Sequence, residues 1–437
     1  MIPEIITLAE AMEAKLISCR RDLHKYAESG WFEMRTSSLI ARRLKDLGYE
    51  VLVGCDVCLD EARMGVPEEE KLEAHYQKVL TQGADPEFVE ATRGGHTGVI
   101  GILRCGEGPT VAMRFDIDAL GVVEATDEGH RPAKEGFGSV NPGMMHACGH
   151  DGHATIGLGV AEVLMAIRQQ LAGTVKLIFQ PSEEGVRGAK SIVEKGHLDG
   201  VDYLLASHVT ASAGLEAVPV YPGASGSLAT CKYDVTFKGL AAHAGGSPHL
   251  GKNALVAAAN AVMNLYAISR HGGGATRLNV GTLVAGSGRN VIADEAKMEI
   301  ELRGETTELN AYMVEKAERI LKASAEMYDC EYSLRLMGAA ESQVSDEALC
   351  LRFRDVLASY GMPVPEKLIL RAGGSEDVSY MMNRVQEQGG QATFMRLVTD
   401  MAAGAHNRRF DFDEKVLVNG VKAFCMLTAD LMKKPVL

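Results

Sequence analysis

Short apolar runs separated by longer helical stretches recur along this chain, and that rhythm limits the possible folds more than any other feature. Gly98–Leu103, Thr110–Phe115, Thr174–Gln180 and Tyr203–Ser207 have the length and the apolar, β-branched content of strands. A long helix is expected from the segment His146–His153 to about Leu171, and a shorter one over 186–195. Strands alternating with helices predict a largely parallel sheet covered on both faces. Near the start, Leu8, Met12, Leu16, Cys19, Leu23 and Tyr26 recur at helical spacing. A second helix carries Leu39, Ile40, Leu44 and Leu47. Ser37 or Ser38 is its candidate N-cap and Gly48 its stop, and a strand over Tyr49–Val53 follows.

The pattern changes near Leu228. Thr230–Phe237, Asn253–Ser269, Arg277–Val284, Asn290–Arg303, Glu308–Met327 and Cys330–Met337 read in order as β-α-β-β-α-β, the ferredoxin-like unit. After Gly338 come a helix near Asp346–Tyr360, a strand near Thr393–Val398 and a final helix from Glu414. The expected architecture is α/β: a first domain split into 1–227 and 341–437, with a second domain, 228–340, inserted. Residues 56–95 carry a polar helical pattern and read as a helical insertion over the surface.

Composition narrows the partners. The 437 residues are 46% apolar and 24% charged, the balance of a globular protein. A net charge of −13 repels phosphate, so neither nucleic acid nor an anionic membrane is an expected partner. Nine scattered cysteines form no disulfide framework. No signal-peptide pattern opens the sequence, and no apolar run approaches the roughly 20 residues that span a bilayer. A reducing, cytoplasmic location is expected.

The densest chemistry lies in His146-Ala-Cys148-Gly-His150-Asp-Gly-His153. A thiolate and an imidazole two residues apart can reach one metal if the backbone turns between them, and Gly149 permits that turn. Pro181 ends the third strand, so Glu183 and Glu184 sit on a loop, where both carboxylates can face one cleft. One could ligate metal while the other stays free as a base. Taken singly, paired glutamates are usually solvated, and a lone histidine such as His208 or His406 is more often structural. All of these residues nevertheless follow predicted strands, at the sheet edge where open parallel sheets bind ligands. Thiolate, imidazole and carboxylate together suit zinc or a similar transition ion. Five candidate ligands exceed the needs of one tetrahedral ion and favour two.

Met-His-Ala-Cys148-Gly-His150-Asp-Gly-His, Pro-Ser-Glu183-Glu184-Gly, Gly239-Leu-Ala-Ala-His243-Ala-Gly and Gly373-Gly-Ser-Glu-Asp occur in that order over nearly the whole chain. They closely resemble the M20 metallopeptidase/amidohydrolase family, in the branch of aminoacylases, hippurate hydrolases and auxin-conjugate hydrolases. The resemblance implies a dimetal catalytic domain with an inserted lid and dimerisation domain. It implies two divalent ions, zinc or manganese, on Cys148, His150, Glu184, His208 and His406, with Cys148 at a bridging position. Glu183 matches the general base. His243 matches a histidine that family dimers present to the neighbouring subunit's site. Asn290 and Arg303 match substrate-contacting positions. Where many relatives have His-x-Asp this chain has Asp116-Ile-Asp118, so Asp118 is expected to orient a ligand rather than to bind metal.

A narrower set of residues is similar to the p-aminobenzoyl-glutamate hydrolases of that family: Tyr26-Ala-Glu-Ser-Gly-Trp31, the insertion with Arg63-Met-Gly-Val-Pro67, Met144-Met-His-Ala-Cys-Gly-His, Gly286-Ser-Gly-Arg-Asn-Val and Phe410-Asp-Phe-Asp-Glu. This likeness implies cleavage of that amide, by a homodimer or by a heterodimer with a homologous second polypeptide. The competing readings are a general N-acyl-amino-acid or hippurate amidohydrolase, and a non-catalytic partner subunit.

Overall fold

The computed structural model describes residues 1–371 and 373–434. In chain order the strands are β1 (Glu50–Val53), β2 (Val99–Arg104), β3 (Thr110–Asp116), β4 (Thr174–Gln180), β5 (Tyr203–Ala211), β6 (Val220–Tyr221), β7 (Gly223–Ser227), β8 (Ala229–Lys238), β9 (Thr276–Ala285), β10 (Glu295–Gly304), β11 (Glu331–Ala340), β12 (Gln343–Val344), β13 (Ile369–Arg371) and β14 (Gln391–Thr399). One compact unit comprises the described residues of Met1–Ser225, Gln343–Ala372 and Asp377–Leu437. The second comprises Gly226–Ser342 and Gly373–Glu376. Gly373–Glu376, which sequence order alone would put in the segment 341–437, therefore clusters with the second unit.

The first unit is built on a seven-stranded sheet in the order β1-β2-β4-β3-β5-β14-β6. β4, β3, β5 and β14 run parallel, β2 and β6 flank them antiparallel, and β1 pairs antiparallel with β2 at the outer edge. Side chains alternate across the sheet. Phe115, Leu205, Met395 and Leu397 face one core, shared with the helices His150–Ala166 and Lys415–Leu431. Ala112, Ile178, Ala206 and Phe394 face the other, shared with Ala189–Glu194 and Val378–Glu387. Burying a large apolar side chain such as Phe115 contributes roughly 1.5–3 kcal/mol. Because the central strands are parallel, their C-terminal ends meet at one edge.

In the second unit, β11-β8-β10-β9 form an antiparallel sheet packed with the helices Ala254–Tyr266 and Thr307–Met327. The chain order is the β-α-β-β-α-β read from the sequence. Asn253 and Thr306 cap the two helices through their side chains.

Several boundaries depart from the sequence reading. The second helical pattern begins at Met34, so Ser37 and Ser38 are buried inside the helix Met34–Leu47 and do not cap it. A remote group does part of that work: Glu28 accepts from Arg35 N at 3.0 Å and Thr36 N at 2.8 Å. The long helix ends at Ala166 rather than Leu171, and a short 3₁₀ turn, Arg168–Gln170, follows. β5 runs to Ala211 because β14 pairs with its whole length, so His208 lies within the strand instead of at its end. β10 starts at Glu295, which leaves Asn290 outside it. The 56–95 insertion is anchored more firmly than its polar pattern suggests. Leu72, Tyr76, Val79 and Val89 form a small core with Met34.

A buried ionic network ties the ends of the first unit together. Arg20 is fully buried, and its Nε donates to Asp151 Oδ2 at 2.8 Å. Its other nitrogens lie 3.0 Å from Asp411 Oδ1 and 3.4 Å from Glu414 Oε1. Burial opposes ionisation of Asp151, but Arg20 and then His24 outweigh it and hold the carboxyl far below its usual range. A depressed carboxyl stabilises the fold above its unfolded pKa, near 4, and that contribution is lost as pH falls below it. Arg20→Met removes the buried cation that faces all three carboxylates, leaving Asp151 to His24, and Asp411 and Glu414 to the partly exposed Arg131 and Arg21. It is expected to cost about 3–5 kcal/mol at pH 7, read from urea unfolding. It is also expected to weaken the dependence of stability on pH below about 4.

Candidate metal centre

Four segments bring their polar side chains to the C-terminal edge of the first unit's sheet. Gly149, with φ 94°, turns the chain between Cys148 and His150, and a Cβ there would stand 2.6 Å from Val209 Cγ2. Only glycine fits that turn. His150 opens the helix His150–Ala166, so Cys148 lies just ahead of that helix's N-terminus. Glu183 and Glu184 follow Pro181 beyond β4. His208 projects from β5. His406 follows β14 in a left-handed conformation, φ 64°, and its N–H bonds Ala147 O at 2.7 Å.

The ligand-type atoms of these residues converge. Those of Cys148, His150 and His208 lie within 4.8 Å of one another, as do those of Cys148, Glu184 and His406, and those of His150, Glu183 and Glu184. Cys148 Sγ is 3.3 Å from His208 Nε2, and His406 Nε2 is 3.5 Å from Glu184 Oε1. His150 Nε2 lies 3.9 Å from Glu183 Oε2 and 4.0 Å from Glu184 Oε1. Two ligands of one tetrahedral ion, each bonded at 2.0–2.3 Å, stand about 3.3–3.8 Å apart; the Cys148–His208 and His406–Glu184 spacings fit a shared cation, and the two from His150 lie just beyond that range. His150 Nε2 and Glu184 Oε1 are buried and make no hydrogen bond. Such orphaned atoms are costly, and a cation would satisfy both. These groups could hold metal.

Hydrogen bonds fix which ring nitrogens face inward. His150 Nδ1 contacts Asp118 Oδ1 at 3.2 Å, which leaves Nε2 toward the cluster. Asp118 Oδ2 also accepts from Glu184 N at 2.8 Å, so one carboxylate steadies two segments. His208 Nδ1 is 2.6 Å from Val209 O, which leaves its Nε2 lone pair toward Cys148. Burial, then His153 and Arg396, pushes the His208 imidazole well below its usual range, so it is neutral, the form that ligates metal. His406 goes the other way. Cys148 and Glu184 push it up to about 10, the mark of a cluster with surplus negative charge.

His153 and Asp116 form another close group with His150. Both His153 nitrogens are committed, however. Nδ1 is 2.5 Å from Asp116 Oδ1, and Nε2 accepts from Val209 N at 3.0 Å. Burial works against ionised Asp116, but Arg114, His150 and His153 outweigh it and hold the carboxyl well below its usual range. Arg114 also reaches Asp377 at 3.3 Å, and Asp377 accepts from the main chain of Gly188 and Ala189. Burial raises the Asp377 carboxyl to about 6. Sequence reasoning did not single out Arg114 or the structural part of Asp377. The only signal was the Gly-Gly-Ser-Glu-Asp run.

His243, Asn290 and Arg303 belong to the second unit. His243 Nδ1 accepts from Gly245 N at 3.1 Å and Gly246 N at 2.9 Å, so the proton sits on Nε2. Ala244 N bonds Asn290 O at 3.0 Å, which makes His243 and Asn290 neighbours, both exposed. Arg303 pairs with Glu301 at 2.9 Å near the far end of β10. At roughly 3.3 Å per residue, the run from Glu295 to Arg303 covers on the order of 25 Å. Arg303 is therefore not brought together with His243 and Asn290 within one chain.

Residues 112–430 match the peptidase family M20/M25/M40. The chain belongs to that family. Among relatives it is 46% identical to indole-3-acetyl-aspartic acid hydrolase of Enterobacter agglomerans, over 93% of each chain. It is 44% identical to one of the subunits of p-aminobenzoyl-glutamate hydrolase from Escherichia coli, over 94% of each. The crystal structure of the aminobenzoyl-glutamate utilization protein from Klebsiella pneumoniae superposes with a TM-score of 0.82 at 38% identity, covering 97% of both chains. As an M20 protein, the chain is a hydrolase of linear amide bonds. Among the described residues, no helix is long and apolar enough to cross a membrane.

Proposed function

We propose that this M20 hydrolase cleaves p-aminobenzoyl-glutamate to p-aminobenzoate and glutamate. The observation that carries the reading is the convergence of Cys148, His150, Glu184, His208 and His406 with Glu183 beside them. We assign the first five as the residues that would hold two divalent ions, zinc or manganese, and Cys148 belongs to both of the groups they form. Ions held there would supply Lewis acidity, acidifying water and polarising a carbonyl. Glu183 takes the proton of the attacking water and delivers it to the leaving amine, a transfer worth roughly 10²–10⁴-fold. Asp118 orients His150. Asp118→Ala is expected to weaken metal binding by about 10–100-fold, measured by titration with a competing chelator.

The leaving amino acid carries carboxylate, and the oxyanion needs a donor. His243 Nε2–H is assigned to the oxyanion, and Asn290 and Arg303 to the substrate. Their separation along the second unit's sheet favours two copies, with His243 and Asn290 from one and Arg303 from the other. The second copy is an identical chain, giving a homodimer, or a homologous polypeptide, giving a heterodimer. In a mixed dimer, His243→Ala and Glu183→Gln subunits, each inactive alone, are expected to restore turnover. No rescue would count against an exchange between subunits. Free thiols at all nine cysteines favour a reducing, cytoplasmic setting.

A second reading is favoured by the 46% identity to the indole-3-acetyl-aspartic acid hydrolase: a different, or broader, N-acyl amino acid substrate. Comparing kcat/KM for p-aminobenzoyl-glutamate, indole-3-acetyl-aspartate and hippurate on the isolated, metal-analysed chain separates the two. No turnover of any of them with a full metal complement would mark the chain as a partner subunit.

A further inference from the structure

Ser182 and Val186 hold left-handed backbone, φ 54° and 61°, on either side of Glu183 and Glu184. Each such conformation costs on the order of 1–3 kcal/mol and persists only where neighbours impose it. Two carboxylates impose it here through main-chain N–H groups. Asp118 takes the Glu184 N–H at 2.8 Å, and Glu33 Oε1 takes the Ser182 N–H at 2.7 Å. The residue before Glu183 and the residue after it are thus both tied down.

Glu33 is held as firmly as the loop it grips. It is fully buried, and its Oε2 accepts from Thr97 Oγ1 at 2.7 Å. A Cβ on Gly30 would collide with Ser182 Oγ and come within 2.8 Å of Arg187 Nη2, so glycine is what lets this segment approach. Trp31, also fully buried, donates from Nε1 to Met64 O at 2.8 Å, which anchors the segment to the 56–95 insertion. Arg187 spans from that insertion to the loop. Its Nη1 donates to Gly65 O at 3.3 Å and its Nε to Glu184 O at 3.0 Å.

We propose that Glu33 is a positioning residue for the hydrolysis: by holding the Ser182 N–H it sets where Glu183 meets the attacking water, and the 56–95 insertion braces it from behind. The inference rests on Glu183 as the proton carrier. The role needs an oxygen acceptor at Glu33 and not its charge. Burial, then Asp118, pushes the Glu33 carboxyl well above its usual range, so a neutral amide of the same shape is a suitable replacement.

The test uses the metal-loaded full chain and p-aminobenzoyl-glutamate, or whichever N-acyl amino acid it turns over fastest. Glu33→Leu removes the acceptor and is expected to lower kcat by about 100-fold, with KM and metal content within about twofold of wild type. Glu33→Gln keeps the acceptor and is expected to stay within about threefold. Glu33→Asp withdraws the oxygen by about 1.5 Å and should fall between them. Near-wild-type kcat in Glu33→Leu overturns the proposal. So does a joint fall in kcat, substrate affinity and metal content, which would mark a purely structural role. If Glu33→Leu does not fold, equal rates for the Asp and Gln variants overturn it. A Glu183→Gln control separates the two claims. If it is active, both fall; if it is inactive while the Glu33 variants run normally, only this one does.

Discussion

Glu183→Gln is expected to lower kcat by about 10²–10⁴-fold while leaving the metal content unchanged. Glutamine has nearly the shape of glutamate and can keep its contacts, but it cannot take a proton from water or return one to an amine. The residue is 6% exposed, so solvent offers little substitute. Its carboxylate stands 3.9 Å from His150 Nε2, near the residues assigned to metal but outside the two groups that share Cys148. Element analysis beside steady-state kinetics is the measurement. Wild-type turnover in this variant would remove Glu183 from proton transfer. Loss of metal along with activity would make it a ligand instead.

The second large effect is expected at Cys148. It alone belongs both to the group with His150 and His208 and to the group with Glu184 and His406. Cys148→Ala should therefore reduce bound metal from about two ions per chain to nearly none, with activity at background. His208→Ala and His406→Ala should each lose about one ion. Unfolding should follow the same order, because a ligand at 1,000 times its Kd stabilises the folded state by about 4 kcal/mol. Equal losses from all three variants would mean that Cys148 is an ordinary ligand of one ion and not a shared one.

Much of this molecule was legible in its sequence because the signals are local. Strand-length apolar runs located β3 and β4 within a residue. Periodicity located both helices of the second unit. The Cys-Gly-His spacing and the paired glutamates pointed to the sheet edge before any geometry was known. What escaped depends on partners remote in the chain. The start of the helix Met34–Leu47 is supported by Glu28, outside any window that reads Ser37 as a cap. The length of β5 is set by β14, whose sequence lies far downstream. Arg114 looks like one polar residue in an apolar strand, and only the folded sheet puts it beside Asp116 and Asp377. Glu33 carries no signal in the sequence, and only the fold brings it to the Ser182 N–H. Asn290 and Arg303 read as the two ends of one strand, and they stay far apart although the strand starts only at Glu295.

The pairing of β14 with β5, and the bond from His406 N–H to Ala147 O, have a consequence for biosynthesis. While the last part of the polypeptide is still inside the ribosome, β5 presents a bare parallel edge and the cation cluster lacks one of its walls. Maturation must therefore wait until β14 and His406 have emerged. A nonsense mutation upstream of β14 should yield a protein that neither gathers the full cluster nor conceals its sheet edge, and quality control would meet it as an aggregation-prone fragment rather than as a weakened enzyme.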